Sequence, residues 1–253
     1  ALSMFESCPK AFEYRYVLKE EGRDRPSPVL VVGNAVHGAL ERFYGLPAED
    51  RIEENLHLAL RSVWKANQRP GAFIDVAEEA QAGRDALAML TRYASFQDLH
   101  AVPVAREEWV SVRIPGGRQL FGKADRIDRA PDGGLAVIDY KTGRHAPAEE
   151  ELPGLAAAQV YALATAETFG MPVSEFRLVF LALGRELSWH PDASQLDAAR
   201  ESVIARADEI AAAHAFPARP GDACRWCDYA HACPYKNTVA LEDLQASATG
   251  APF

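Results

Sequence analysis

Two aspartates and a lysine stand close together in one stretch, Phe121 to His145, which reads FGKADRIDRAPDGGLAVIDYKTGRH. Gly122 to Arg129 alternates in character, and Pro131-Asp132-Gly133-Gly134 is dense turn chemistry. Leu135 to Lys141 is an apolar run ending in Asp-Tyr-Lys, so the stretch predicts two strands joined by a turn. Residues two apart in a strand share a face, which puts Asp139 and Lys141 together. Asp125 joins them if it pairs opposite Asp139, and Pro131-Asp132-Gly133 as a three-residue hairpin loop supplies that register. Asp128, of opposite parity, then faces away. Two carboxylates and an ammonium on one patch are costly unless a cation sits between the carboxylates. That arrangement suits a divalent metal binding a phosphate and a water, with Lys141 orienting or deprotonating the nucleophile. Taken alone, the same letters also fit a surface hairpin with solvated charges.

A second set of potential ligands is Cys8, Cys224, Cys227 and Cys233. The last three are spaced C-x2-C-x5-C, and the first lies more than two hundred residues away. In an intracellular chain such spacing argues for a metal rather than disulfides, and four thiolates can hold zinc or a [4Fe-4S] cluster. A centre joining both ends would restrain the unfolded chain and dock its first helix against its last.

The surrounding elements can be read from periodicity. Residues 3 to 18 mix aromatics with basic residues on a helical pattern, with Pro9 tolerated near a helix start. After a Pro-rich connector from Arg25 to Pro28, VGNAVHGALERFYG predicts a helix closed by Gly45, with His37 and Glu41 one turn apart on it. Residues 48 to 100 predict two helices broken at Pro70-Gly71, with apolar stripes at Leu56, Leu60 and Val63, then Leu87, Leu90 and Phe96. From Val102 the period shifts to two: VAREEWVSVRI, a Pro115-Gly116-Gly117 turn, then Gln119 to Arg129, giving three antiparallel strands up to Lys141. An Ala-rich helix follows from Leu155 to Phe169. Phe176 to Leu183 and Arg185 to His190 are further strands, the first apolar throughout as a doubly covered strand would be. Pro191 to Ala215 is a last amphipathic helix, with Leu196, Val203, Ile204 and Ile210 inward. The final dozen residues read as a loose tail.

The chain has 253 residues and a formal charge of −9, which runs against the basic character usual in nucleic-acid binders. Basic residues nonetheless gather at Lys10, Arg15, Lys19, Arg23 and Arg25, and at Lys123, Arg126, Arg129, Lys141 and Arg144, which predicts a local basic groove on an acidic body. There is no apolar run of membrane-spanning length and no charged-then-apolar leader, so a cytoplasmic protein without a membrane partner is expected. No G-x-x-x-x-G-K-[ST] nucleotide-binding loop occurs.

The series Gly33-x-x-x-His37-x-x-Leu40-Glu41, Gly122-x-x-Asp125-Arg126-Ile127-Asp128 and Ile138-Asp139-Tyr140-Lys141-Thr142-Gly143 resembles the PD-(D/E)XK nucleases, specifically their RecB-like branch. The lone Cys8 with the C-terminal triplet, and Cys-Pro at both ends, resembles the iron–sulfur staple of AddB-type and CRISPR-associated members. The resemblance implies an α/β, restriction-endonuclease-like core: a mixed central sheet flanked by helices, with a helical insertion and a cluster joining the termini. It implies one nuclease domain over 1–253, with 46–101 helical, 102–190 the catalytic sheet core, and residues 8 and 217–236 binding the cluster. The implied activity is Mg²⁺- or Mn²⁺-dependent hydrolysis of DNA, as a single-stranded exonuclease in repair, recombination or CRISPR adaptation, with a helicase or a recombination or CRISPR protein as partner. Asp125, Asp139, His37 and the Tyr140 carbonyl would hold the metal, with Lys141 completing the catalytic set. Cys8, Cys224, Cys227 and Cys233 would hold a [4Fe-4S] cluster in preference to zinc. The branch carries a Gln and a Tyr four apart on the helix after the D-x-K strand. Here Tyr161 matches, but Ala157 occupies the earlier position and the glutamine is Gln159, about 200° round the helix from Tyr161. Tyr161, Gln159, Arg126 and Arg144 are the expected DNA contacts. The alternative from another class is a catalytically weak DNA-binding Fe-S scaffold subunit of a helicase–nuclease complex.

Overall fold

The turn after Arg129 fixes the register of the central hairpin. The Ala130 N–H donates to Gly134 O at 2.9 Å and the Gly133 N–H to Ala130 O at 3.0 Å, leaving Pro131-Asp132-Gly133 as the loop. Gly133 sits at φ +90°, where a side chain would be strained. The computed structural model describes residues 1–22, 27–67, 69–221, 223–224 and 227–236. Arg23, Arg25 and the expected C-terminal tail lie outside the described residues. The chain divides into two units, one of Ala1–Arg25 with Arg206–Phe253 and one of Pro26–Ala205.

In chain order the helices are Leu2–Ser7 (α1), Pro9–Phe12 (α2), Pro28–Phe43 (α3), Glu53–Ala66 (α4), Val76–Phe96 (α5), Ala156–Phe169 (α6) and Ala193–Ala212 (α7). The strands are Ala105–Ile114 (β1), Arg118–Arg129 (β2), Leu135–Lys141 (β3), Val173–Phe180 (β4) and Arg185–Trp189 (β5). They form one sheet in the order β1-β2-β3-β4-β5. β3 and β4 are parallel, joined across α6, and the other neighbours are antiparallel. This is the mixed, helix-flanked sheet expected from the sequence.

Helices α3, α4 and α5 share one core with the sheet centre. Leu40, Phe43, Leu56, Leu60, Leu90 and Tyr93 are buried together with Ile138, Tyr140 and Leu181. The expected stripes on α4 and α5 therefore point inward, with Leu87 and Phe96 half-buried at the margin. The Asp75 side chain caps α5 by accepting the Glu78 N–H at 2.8 Å, a contact worth about 1 kcal/mol. On the opposite side, α6 packs over β1, β2 and β4. β3, covered on both faces, is buried from Leu135 through Tyr140.

In the other unit the expected helix over residues 3 to 18 is broken. Cys8, preceding Pro9, is extended at φ −160°, ψ 104°, because the proline ring disfavours a helical residue before it. A single π-turn, Glu13–Val17, follows α2. Phe5, Phe12 and Phe216 cluster at centroid distances of 5.4–6.3 Å. Of the stripe expected on α7, Val203 is buried with Ala199 and Ala207, while Leu196, Ile204 and Ile210 are half-buried. No helix among the described residues is long and apolar enough to cross a membrane.

Candidate metal centre and its neighbours

The β2–β3 pairs run to Arg126↔Ile138, so one further step sets Asp125 across from Asp139. There the side chain replaces the ladder: Asp125 Oδ2 accepts the Tyr140 N–H at 2.7 Å. Its other oxygen, Oδ1, lies 3.2 Å from His37 Nδ1. His37 comes from α3, one turn after Gly33, where a Cβ would lie 3.6 Å from Thr142 Oγ1. Burial alone would push the His37 imidazole down, but the hydrogen bond to Asp125, with the charges of Asp125, Asp139 and Glu107, raises it above 6.5.

A third ligand, Glu107, completes this group. One ligand atom each from His37, Glu107 and Asp125 lie within 4.8 Å of one another. Glu107 stands in β1 at the level of Asp125, between the pairs Arg106↔Arg126 and Glu108↔Ala124. Its φ is +48°, a conformation costing about 1–3 kcal/mol in a non-glycine residue and concentrated at functional sites. The inward positions of β1 change phase around it, from 105 and 107 to 110, 112 and 114. Strict alternation does not reveal such a residue, so Glu107 was one of two adjacent, equivalent glutamates in the sequence. Lys123 Nζ pairs with its Oε2 at 2.8 Å.

Asp139 and Lys141 adjoin the group. Lys141 Nζ is 2.5 Å from Asp139 Oδ2, an ion pair on a buried carboxylate. Burial raises the Asp139 carboxyl, Lys141 opposes the rise, and Asp125 adds to it. Burial would lower the Lys141 ammonium, but Asp139 and Asp125 outweigh it and hold it protonated. Tyr161 closes the site from α6. Its ring meets Gly122, where a Cβ would be 2.8 Å from Cε1, and its hydroxyl donates to Lys123 O at 3.0 Å. The phenol is pushed up by burial and then by the charges of Asp139, Asp125 and Glu107. Oxygen ligands with one imidazole fit a hard divalent cation such as Mg²⁺ or Mn²⁺.

Two expected DNA contacts are corrected. Arg126 is 3 % exposed and turned away from Asp125. It bonds Asp128 Oδ2 at 2.6 and 3.0 Å, the Tyr93 hydroxyl at 2.9 Å and the Tyr140 hydroxyl at 3.3 Å, and lies 4.3 Å from the Tyr44 ring centroid. These polar partners hold the guanidinium inside, so it is a core strut and not part of a basic groove. Gln159 is likewise buried and donates to Pro153 O at 2.8 Å, tying down the segment before α6. Arg144 is exposed on the segment leaving β3.

In the terminal unit the four cysteines are free and line one cavity of about 230 Å³ with Tyr14, Tyr229 and Arg219. The Arg219 N–H approaches Cys8 Sγ at 3.5 Å. The Cys227 thiol is pushed up by burial and by the charges of Cys8, Cys224 and Cys233. Four thiols lining one cavity are a donor set that a cation would stabilise.

The sequence profile of the PD-(D/E)XK nuclease superfamily matches residues 1–234. The chain belongs to that superfamily. Within it, the chain is 31% identical over 155 residues to an ATP-dependent helicase/deoxyribonuclease subunit from Streptococcus pneumoniae serotype 19F (strain G54), a match covering 56% of this chain and 14% of that protein. It is 30% identical over 155 residues to the exonuclease/helicase subunit RexB of Streptococcus pneumoniae serotype 4 (strain ATCC BAA-334 / TIGR4), with the same coverage. The match thus spans about one seventh of the length of these relatives. Among solved structures, SSO0001 superposes with a TM-score of 0.43 at 16% identity, covering 93% of this chain and 85% of that one.

Proposed function

We propose that this chain is a divalent-metal-dependent deoxyribonuclease that cuts phosphodiester bonds in single-stranded DNA, as an exonuclease. The observation that carries the reading is the convergence of His37, Glu107 and Asp125 ligand atoms within 4.8 Å, beside the Asp139–Lys141 ion pair. Asp125, Asp139, His37 and the Tyr140 carbonyl, joined by Glu107, would hold Mg²⁺ or Mn²⁺. A bound ion supplies charge neutralisation on the phosphate and a more acidic water. Asp125 orients the His37 ring. Lys141, kept protonated by its carboxylate neighbours, serves as a cation for the charge growing on the phosphoryl oxygens rather than as the base. Arg144 and Tyr161 contact the DNA at the mouth of the site.

Cys8, Cys224, Cys227 and Cys233 hold a [4Fe-4S] cluster whose role is structural, in preference to zinc; a visible absorption band in freshly purified protein, lost in Cys8→Ser, is the expected sign. The names of the relatives support a helicase as partner. Cleavage of end-labelled DNA in Mn²⁺, abolished by EDTA and by Asp139→Ala, is the expected result; cleavage surviving both treatments overturns the assignment. The scaffold reading draws on the net charge of −9 and the inward Gln159. DNA bound without metal-dependent turnover would favour it.

A further inference from the structure

The β1–β2 ribbon carries an exposed aromatic pair that leads into the carboxylate site. Trp109 and Phe121 are 61% and 69% exposed, far more than large aromatic side chains usually are, and their rings lie 5.9 Å apart at 60°. The pairing Trp109↔Lys123 and Ser111↔Phe121 puts both on one face of the ribbon, with Arg113 and Gln119 farther out. The other face is occupied: Val110 and Val112 are buried and Gly122 abuts Tyr161.

Followed inward, this face meets the metal centre at the phase change of β1 around Glu107, through Lys123. Phe121 and Asp125 are four residues apart on β2, about 13 Å along a strand. Lys123 lies between them and touches Glu107. In a chain with 36 acidic residues, no carboxylate belongs to the face itself from Trp109 and Lys123 outward, although Glu167 of α6 reaches Arg113 at 3.2 Å. Two solvated rings flanked by cations, adjoining a phosphodiester-cleaving centre, match what an unpaired strand requires: π faces for bases and positive charge for the backbone. A duplex, whose bases are already stacked, gains nothing from such rings.

We infer that Trp109 and Phe121 form a stacking platform for unpaired bases and deliver single-stranded DNA along the ribbon to the carboxylate site. This rests on the nuclease reading for its direction of travel, but binding can be tested apart from cleavage. Fluorescein-labelled oligothymidylate is titrated in EDTA and followed by anisotropy. Trp109→Ala and Phe121→Ala are each expected to weaken binding on the order of tenfold, with Trp109→Phe recovering most of the loss. Ile74→Ala, another exposed apolar side chain (80%), is expected to change nothing. Affinity for a blunt duplex is expected to shift far less than that for the single strand. Unchanged single-strand affinity in both alanine variants overturns the platform and leaves the face to a protein partner; an equal loss for duplex overturns its selectivity. A wild-type protein that binds the oligonucleotide through these rings but cleaves nothing in Mn²⁺ refutes the nuclease reading while sustaining the platform.

Discussion

Gly122 offers the sharpest test of how the fold sets the site. An alanine Cβ there would lie 2.8 Å from Tyr161 Cε1 and 3.3 Å from Cζ, against the 3.5–4.0 Å at which carbon atoms pack well (~0.1–0.2 kcal/mol per contact). The ring has little room to retreat, since it stacks on the fully buried Phe176 at 6.2 Å and 13° and its hydroxyl is held by Lys123 O. Forcing it aside costs about 1–3 kcal/mol, which for a domain of this size lowers the melting temperature by about 2–12 °C. It also displaces a phenol that feels the charges of Asp139, Asp125 and Glu107, so Mn²⁺-dependent cleavage should fall along with stability. The sign reverses in a Tyr161→Val background. With the ring gone, alanine is better than glycine in a strand by about 0.5–1 kcal/mol, and Gly122→Ala should then stabilise. Thermal melts of the four proteins in the cycle give the coupling directly. If Gly122→Ala melts like the wild type, or lowers the melting point equally in both backgrounds, the packing argument is wrong.

Three further outcomes follow from the site. Glu107→Gln keeps the side chain's shape but removes a ligand charge; it should weaken Mn²⁺ binding by calorimetry, and cleavage with it, by about 10–100-fold, whereas Glu108→Gln should do neither. Arg126→Met strands the Asp128 carboxylate against a buried face and should cost about 3–5 kcal/mol in urea unfolding, while oligonucleotide affinity per folded molecule stays unchanged. In metal-free protein, the raised His37 value means its protonated pair with Asp125 contributes stability in full below about pH 6.5. That contribution is lost as pH rises through the higher folded value. Melting temperature in EDTA should therefore fall across that window, His37→Gln should flatten the fall, and Mn²⁺ affinity should rise with pH as the proton leaves.

The parts of this site legible in sequence are those that depend on one hairpin. Asp125, Asp139 and Lys141 are related by strand parity and by a loop whose length can be counted, and both are properties of adjacent residues. His37 needed the family's spacing, because nothing local brings an α3 imidazole to the Asp125 carboxylate on β2, 3.2 Å away. Arg126 misled because it stands among basic residues around the hairpin, while only the packed helices show a core in which Tyr44, Tyr93 and Tyr140 surround its guanidinium.

Glu107 was hidden for a different reason, and that reason bears on what it does. Parity fails locally at a residue with φ +48°, so no alternation argument could choose between Glu107 and Glu108. A strand gains nothing for its ladder from this conformation: no Cα pair joins Glu107 to β2, although pairs resume in the same register on either side. The strain is offset elsewhere in the fold, and what it achieves is a carboxylate carried to within ligand distance of His37 and Asp125. A merely structural glutamate would relax to regular strand geometry and leave its charge in water. The anomaly that concealed Glu107 from the pattern is thus the strongest local reason to assign it to the metal.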